Sequence, residues 1–100
     1  MQLYVIDWSF QNAEDQLFAT NEFCEYFKNG KLNEFGDYLD LQTIAHTPQE
    51  GTGIIILKAH SATSILNILK EWRDNYNILF RIKPALSNEE LIELNSKNHQ

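Results

Sequence analysis

Four ionisable side chains interrupt stretches that are otherwise apolar and strand-like: Asp7 in YVIDW, Lys58 and His60 in IIILKAH, and Arg81 in ILFRIK. Lysine and arginine hold carboxylates and other anions. An aspartate or histidine beside an apolar pocket can act as a general base. Brought to one surface, Asp7, Lys58, His60 and Arg81 would form a charge-compensated subsite for a small anionic or carboxylated ligand. A structural ion pair at the rim of an interface would use the same residue types.

Other chemistry finds less support. Histidines occur at 46, 60 and 99. In a hairpin, His46 and His60 stand about six residues apart along the ladder, roughly 20 Å at strand rise, so they cannot share a metal ion. Nothing marks either as a haem ligand, and the expectation is no metal and no cofactor. The single cysteine, Cys24, has no ligand spacing around it and is expected to pack as a small apolar residue. No serine or cysteine sits in a nucleophile elbow. Gly51-Thr52-Gly53 lacks the second half of a phosphate loop and precedes a strand instead of a helix. A cofactor-independent oxygenase or isomerase would need His46, His60 or Asp7 as base, with Trp8 or Tyr4 stacking on the substrate. Arg73, following Trp72, reads as a clamp at a helix end, paired with Asp74 or Glu71.

One hundred residues with 43% hydrophobic and 12% aromatic content describe one folded domain, residues 1–100, with residues 95–100 expected to fray. A net charge of −6 disfavours nucleic-acid binding. The opening residues carry no basic signal region, and no apolar run approaches a membrane span. The expected location is cytoplasmic.

These side chains must be positioned by a short series of elements. Residues 2–10 alternate as a strand with apolar residues on both parities. Asn12 caps a helix running to about Asn29, its stripe being Ala13, Leu17, Thr20, Cys24 and Phe27 widened by Phe23, and Gly30 ends it. Leu32 and Phe35 tuck a connection against the body. A second strand spans Asp40 to Thr47, a turn follows at 48–53, and the most apolar strand spans Gly53 to His60. Ser61 caps a second helix with the stripe Ala62, Ile65, Leu66, Leu69, Trp72 and Tyr76. A fourth strand runs from Ile78 to Lys83 and stops at Pro84. Ser87 and Glu90 form a capping box for a last helix. The order β-α-β-β-α-β plus a C-terminal helix is the α+β, ferredoxin-like arrangement. It places both crossover helices on one face of an antiparallel sheet.

The turn near residue 50 suggests a register in which His46 faces Ile54, Ile44 faces Ile56, Gln42 faces Lys58 and Asp40 faces His60. Leu41, Thr43, Ala45, Ile55, Leu57 and Ala59 then meet the helices. The open face carries Leu3, Val5, Ile44, Ile54, Ile56 and Leu79, interspersed with Asp7, Gln42, Lys58, His60 and Arg81. So much apolar surface calls for a cover. A homodimer with its sheets face to face supplies one, and polar groups left between the sheets would line a cavity.

Trp8-Ser9-Phe10, Gly51-Thr52-Gly53, Trp72-Arg73-Asp74 and Ile82-Lys83-Pro84-Ala85-Leu86 before an acidic capped helix give the chain a resemblance to a known family. It resembles a small uncharacterised family of cyanobacteria, some other bacteria and cyanobacterial viruses. That family is similar to the dimeric α/β-barrel proteins, which include monooxygenases, cyclases, haem-dependent enzymes and plain binding modules. The resemblance implies a dimeric α/β barrel and supplies no catalytic residues. The expected function is a small homodimeric binding or regulatory module. The alternative is a cofactor-independent enzyme acting on a small aromatic or carboxylated substrate in the inter-sheet cavity.

Overall fold

A computed structural model describes residues 1–32 and 39–98 of the chain. The elements are β1 (Gln2–Ser9), α1 (Ala13–Lys28), β2 (Leu39–Thr47), β3 (Thr52–Ala59), α2 (Ala62–Tyr76), β4 (Leu79–Ala85) and α3 (Asn88–Asn98). All strand pairings are antiparallel, in the order β2-β3-β1-β4. This is a ferredoxin-like α+β fold.

Local chemistry sets the helix boundaries. The Asn12 side chain accepts a hydrogen bond from the Asp15 amide at 2.8 Å, and Ser61 accepts one from Ser64 at 3.2 Å. Each satisfies an amide that the helix start leaves without a partner. Gly30 and Asn77 adopt φ values of +70° and +51° beyond the ends of α1 and α2, where the chain must turn left-handed. At α3 the capping box is complete: the Ser87 amide donates to Glu90 Oε1 at 3.1 Å, and the Glu90 amide donates to Ser87 Oγ at 3.2 Å.

The two faces of the sheet differ sharply. Tyr4, Ile6 and Trp8 of β1 are buried beneath the helices with Leu57 of β3, and Ile65 of α2 is 1% exposed among them. Leu3, Val5 and Asp7 point the other way, opposite Lys58, Ile56 and Ile54 respectively. On β4, Phe80 and Ile82 pack toward the core, whereas Leu79 and Arg81 are exposed.

Several sequence expectations need correction. The β2–β3 register contains a bulge between Leu41 and Thr43, so Ile44 faces Ile55 and His46 faces Gly53. The extra residue, Gln42, reverses the parity of everything after it. Ile44 therefore joins the core with Trp8, while Thr43 and Ala45 move to the open face. Pro84 does not stop β4, which continues to Ala85 with Pro84 opposite Tyr4. β4 is an edge strand, where a missing amide donor disrupts no second ladder. The Gln2 side chain reaches across to the Ala85 carbonyl at 2.9 Å.

The inner face of α1 is also rotated from the expected stripe. Ala19 is buried and Gln16, Phe23 and Tyr26 are half-buried, at spacings of three and four, whereas Leu17 and Phe27 are 58% and 63% exposed. Cys24 is exposed. The region after Leu94 remains helical through Asn98. Phe35 and His99 lie outside the described residues. No helix among the described residues is long and apolar enough to cross a membrane.

Candidate functional site

Of the four candidate ligand-subsite residues, only Asp7 and Arg81 come together. Asp7 and Arg81 are direct neighbours across β1 and β4. Asp7 nevertheless pairs with Lys83, Oδ2 to Nζ at 3.1 Å. Lys58 stands opposite Leu3 on one side and Asp40 on the other. It is four positions along the ladder from Asp7, about 13 Å at strand rise. His60 follows the end of β3 and is exposed. Arg73 hydrogen-bonds its neighbour Asp74 at 3.1 Å on the outside of α2, which is the clamp role its position suggests.

A concave feature lies on the opposite side of the sheet. A cavity of about 370 Å³ opens between the sheet, α1 and α2. None of Asp7, Lys58, His60 and Arg81 lines it. Its floor includes Trp8, Ile44, His46 and Phe80, its walls include Phe23 and Trp72, and the lining is mostly carbon. An apolar concavity of this size with a few polar groups is the usual form of a small-molecule site.

Each ring has a local reason for its position. Trp8 is on the buried parity of β1, and its neighbour across the ladder is Gly53. A Cβ at Gly53 would overlap the Trp8 indole, so only glycine leaves the ring room to lie across β3. On the far side of Gly53 stands His46, brought there by the β2 bulge. The Trp8 and His46 ring centres are 5.3 Å apart at 68°, an edge-to-face contact. Phe23 of α1 meets His46 at 4.9 Å and Trp72 of α2 at 6.4 Å. Tyr26 adds a second edge-to-face contact to Trp72 at 5.8 Å. One band of rings therefore joins β1, β2, α1 and α2.

Polar contacts hold the cavity's frame. The Gln16 side-chain amide donates to the Pro48 carbonyl at 2.7 Å, tying α1 to the hairpin turn, and the Phe10 amide donates to the Gly51 carbonyl at 2.9 Å. Asn77 donates to Asp15 at 3.2 Å, linking the end of α2 to the start of α1. Tyr76 packs 5.8 Å from Trp72. Burial raises its phenol above the usual tyrosine value, and the charges of Glu22 and Glu71 push it further the same way. It therefore remains neutral through the physiological range.

Two features hide the cavity from local sequence pattern. A single extra residue in β2 leaves no mark in the hydrophobic alternation, so alternation alone places Ile44 and His46 on the open face. Leu17 and Phe27 offer an equally apolar alternative stripe on α1, which leaves out Tyr26. The spacing Gln16–Ala19–Phe23–Tyr26 was the signal available for the true one.

Chemically, the site can enclose an apolar or ring-bearing molecule and present one imidazole to it. Among the described residues the His46 imidazole meets only the rings of Trp8 and Phe23, and no carboxylate lines the cavity. No cluster of three or more metal-binding side chains occurs among the described residues.

Comparison with known proteins adds a family but no activity. No curated protein matches the chain. Among solved structures, an uncharacterised protein, TM1266 from Thermotoga maritima, is similar over 85% of this chain and 98% of its own, at 15% identity and a TM-score of 0.47. A family described as a domain of unknown function, DUF3303, matches residues 2–99. That match spans all seven elements, and the chain belongs to the DUF3303 family.

Proposed function

We propose that this protein is a small homodimeric binding module. Its ligand is a compact apolar molecule carrying an aromatic ring, held between the helices and the sheet. The single observation behind the ligand reading is the cavity of about 370 Å³ lined by Trp8, Phe23, His46 and Trp72. Burying a ring there removes apolar area from water at about 25 cal/mol per Å², and edge-to-face contacts orient it. No cationic side chain among the described residues lines the cavity, so the chemistry favours a neutral ligand over a carboxylate. The dimer is supported by the open sheet face, where Ile54 and Leu79 are 40% and 43% exposed.

Titration with indole tests the binding reading, with the tryptophan indole N–H resonances as readout. Saturable shifts at Trp8 and Trp72 are expected. Thr20→Phe, an exposed cavity-wall position on α1, is expected to abolish them by filling the space. Unsaturable shifts, or shifts unaffected by Thr20→Phe, would count against the site.

One observation favours a second reading, a cofactor-independent enzyme: His46 stands in the cavity floor. A general base normally needs a partner to fix its tautomer. The ring neighbours of His46, Trp8 and Phe23, orient it without supplying one, so binding ranks first.

A further inference from the structure

The C-terminal helix poses a problem of stability. α3 has eleven residues, too few to persist alone in water. Among the described residues it makes no substantial packing contact with another element. Leu91, Ile92 and Leu94 are 55%, 66% and 46% exposed. The molecule is 53 Å long and only 21 Å thick, an elongated outline for one small domain. A regular helix with an uncovered apolar side needs a surface to lie on.

The start of α3 shows the side on which it leaves the sheet. β4 ends at Ala85, opposite Leu3, whose other neighbour is Lys58 of the open face. Hydrogen bonds from Ser87 lower the Glu90 carboxyl below the usual range, and the charges of Lys58 and the N-terminus act in the same direction. α3 begins at Asn88, three residues after β4 ends at Ala85, so its first turn starts beside the Leu3–Lys58 end of the sheet.

Charge and area both point to a second copy as the missing partner. On the open face Lys83 is engaged by Asp7, whereas Arg81, on edge strand β4, has no ion-pair partner among the described residues. α3 carries Glu89, Glu90 and Glu93, of which Glu90 is held by Ser87 and Glu93 meets Lys97 at 3.2 Å in an exposed pair. One chain thus presents an acidic, apolar helix and a basic-rimmed, apolar sheet face, so a two-fold axis would use each contact twice. Four strands at about 4.8 Å spacing and about 26 Å length present roughly 500 Å² per copy, or roughly 1,000 Å² for a pair. A standard stable interface buries about 1,600 Å². A helix about 16 Å long and about 10 Å wide adds roughly 160 Å² on each side.

We infer that α3 is a clasp between two copies of this chain: it extends past the sheet-to-sheet contact and lies along the partner's β4 edge, with Glu89 and Glu93 beside the partner's Arg81. This inference rests on the homodimer reading given above. The clasp widens an interface that the sheets alone leave small, and it gives α3 the cover it lacks among the described residues of its own chain.

Sedimentation equilibrium on the full chain tests it. The wild type is expected to dimerise. Arg81→Glu, and separately Glu89→Arg with Glu93→Arg, should each weaken the dimer about tenfold, because like charges then face each other twice. All three substitutions together should restore most of the loss. These positions are exposed, and far-ultraviolet circular dichroism checks that each variant folds. A wild-type dimer whose affinity is unchanged in the charge variants overturns the clasp and leaves the sheet-to-sheet dimer standing. Weakening by both variants without recovery in the combination also overturns the clasp. A wild type that remains monomeric overturns both.

Discussion

Trp8 lies across Gly53, its direct neighbour on the adjacent strand, in space that a Cβ on residue 53 would occupy. The pair couples a core side chain to the cavity floor. It also fixes how closely His46, on the other side of Gly53, approaches the indole. Gly53→Ala is therefore expected to destabilise the fold by about 3 kcal/mol, at the upper end of overpacking costs. Chemical denaturation followed by tryptophan fluorescence measures this, and the native emission should also shift because the ring must move. A change below about 0.5 kcal/mol, the level of a neutral surface substitution, would contradict the close approach.

The bulge in β2 can be tested by charge. Ile44→Lys places an ammonium toward Trp8 and Ile55, and an expected loss of about 2–3 kcal/mol follows from burying an unpaired charge. Thr43→Lys faces outward and should change stability by less than about 0.5 kcal/mol. A ladder without the bulge would give the reverse ranking.

Leu57 and Lys58 are adjacent on β3, yet they occupy opposite sides of the sheet. Leu57 is 4% exposed within the core, and Leu57→Lys should cost more than about 3 kcal/mol or prevent folding. Lys58→Leu should fold with a thermal midpoint close to that of the wild type. Equal midpoints for the two variants would refute the assignment of faces.

The Ser87–Glu90 cap makes the start of α3 sensitive to acid. The Glu90 carboxyl is lowered in the folded chain, first by its hydrogen bond from the Ser87 amide. The folded state therefore binds the proton less readily than the unfolded state. The resulting stabilisation is present above the ordinary glutamate value and is lost as pH falls through the lowered one. Amide resonances of Ser87 and Glu90 should move together below about pH 4.3, the ordinary glutamate value. Glu90→Gln should remove most of that pH dependence.

The order of elements was legible from local chemistry alone. Asn12, Ser61 and the Ser87–Glu90 pair announce three helices. The two apolar parities of residues 3–8 announce an interior strand, and Asp7 shows which of its sides faces away from the helices. These signals are readable because capping and alternation act over a few neighbouring residues. The same information places Lys58 and Arg81 on the uncovered side of the sheet.

Tertiary structure decided what local pattern could not. Whether β2 carries an extra residue depends on the partner ladder, and the answer moved Ile44 and His46 from one side of the sheet to the other. The rotation of α1 depends on which of two similar stripes fits against α2 and Trp8. The sequence by itself therefore determined the fold and the existence of two unlike sheet faces. Only long-range packing decided that the rings of Trp8, Phe23, His46 and Trp72 meet around one cavity, because a one-residue shift reverses a strand's faces while leaving its local composition unchanged.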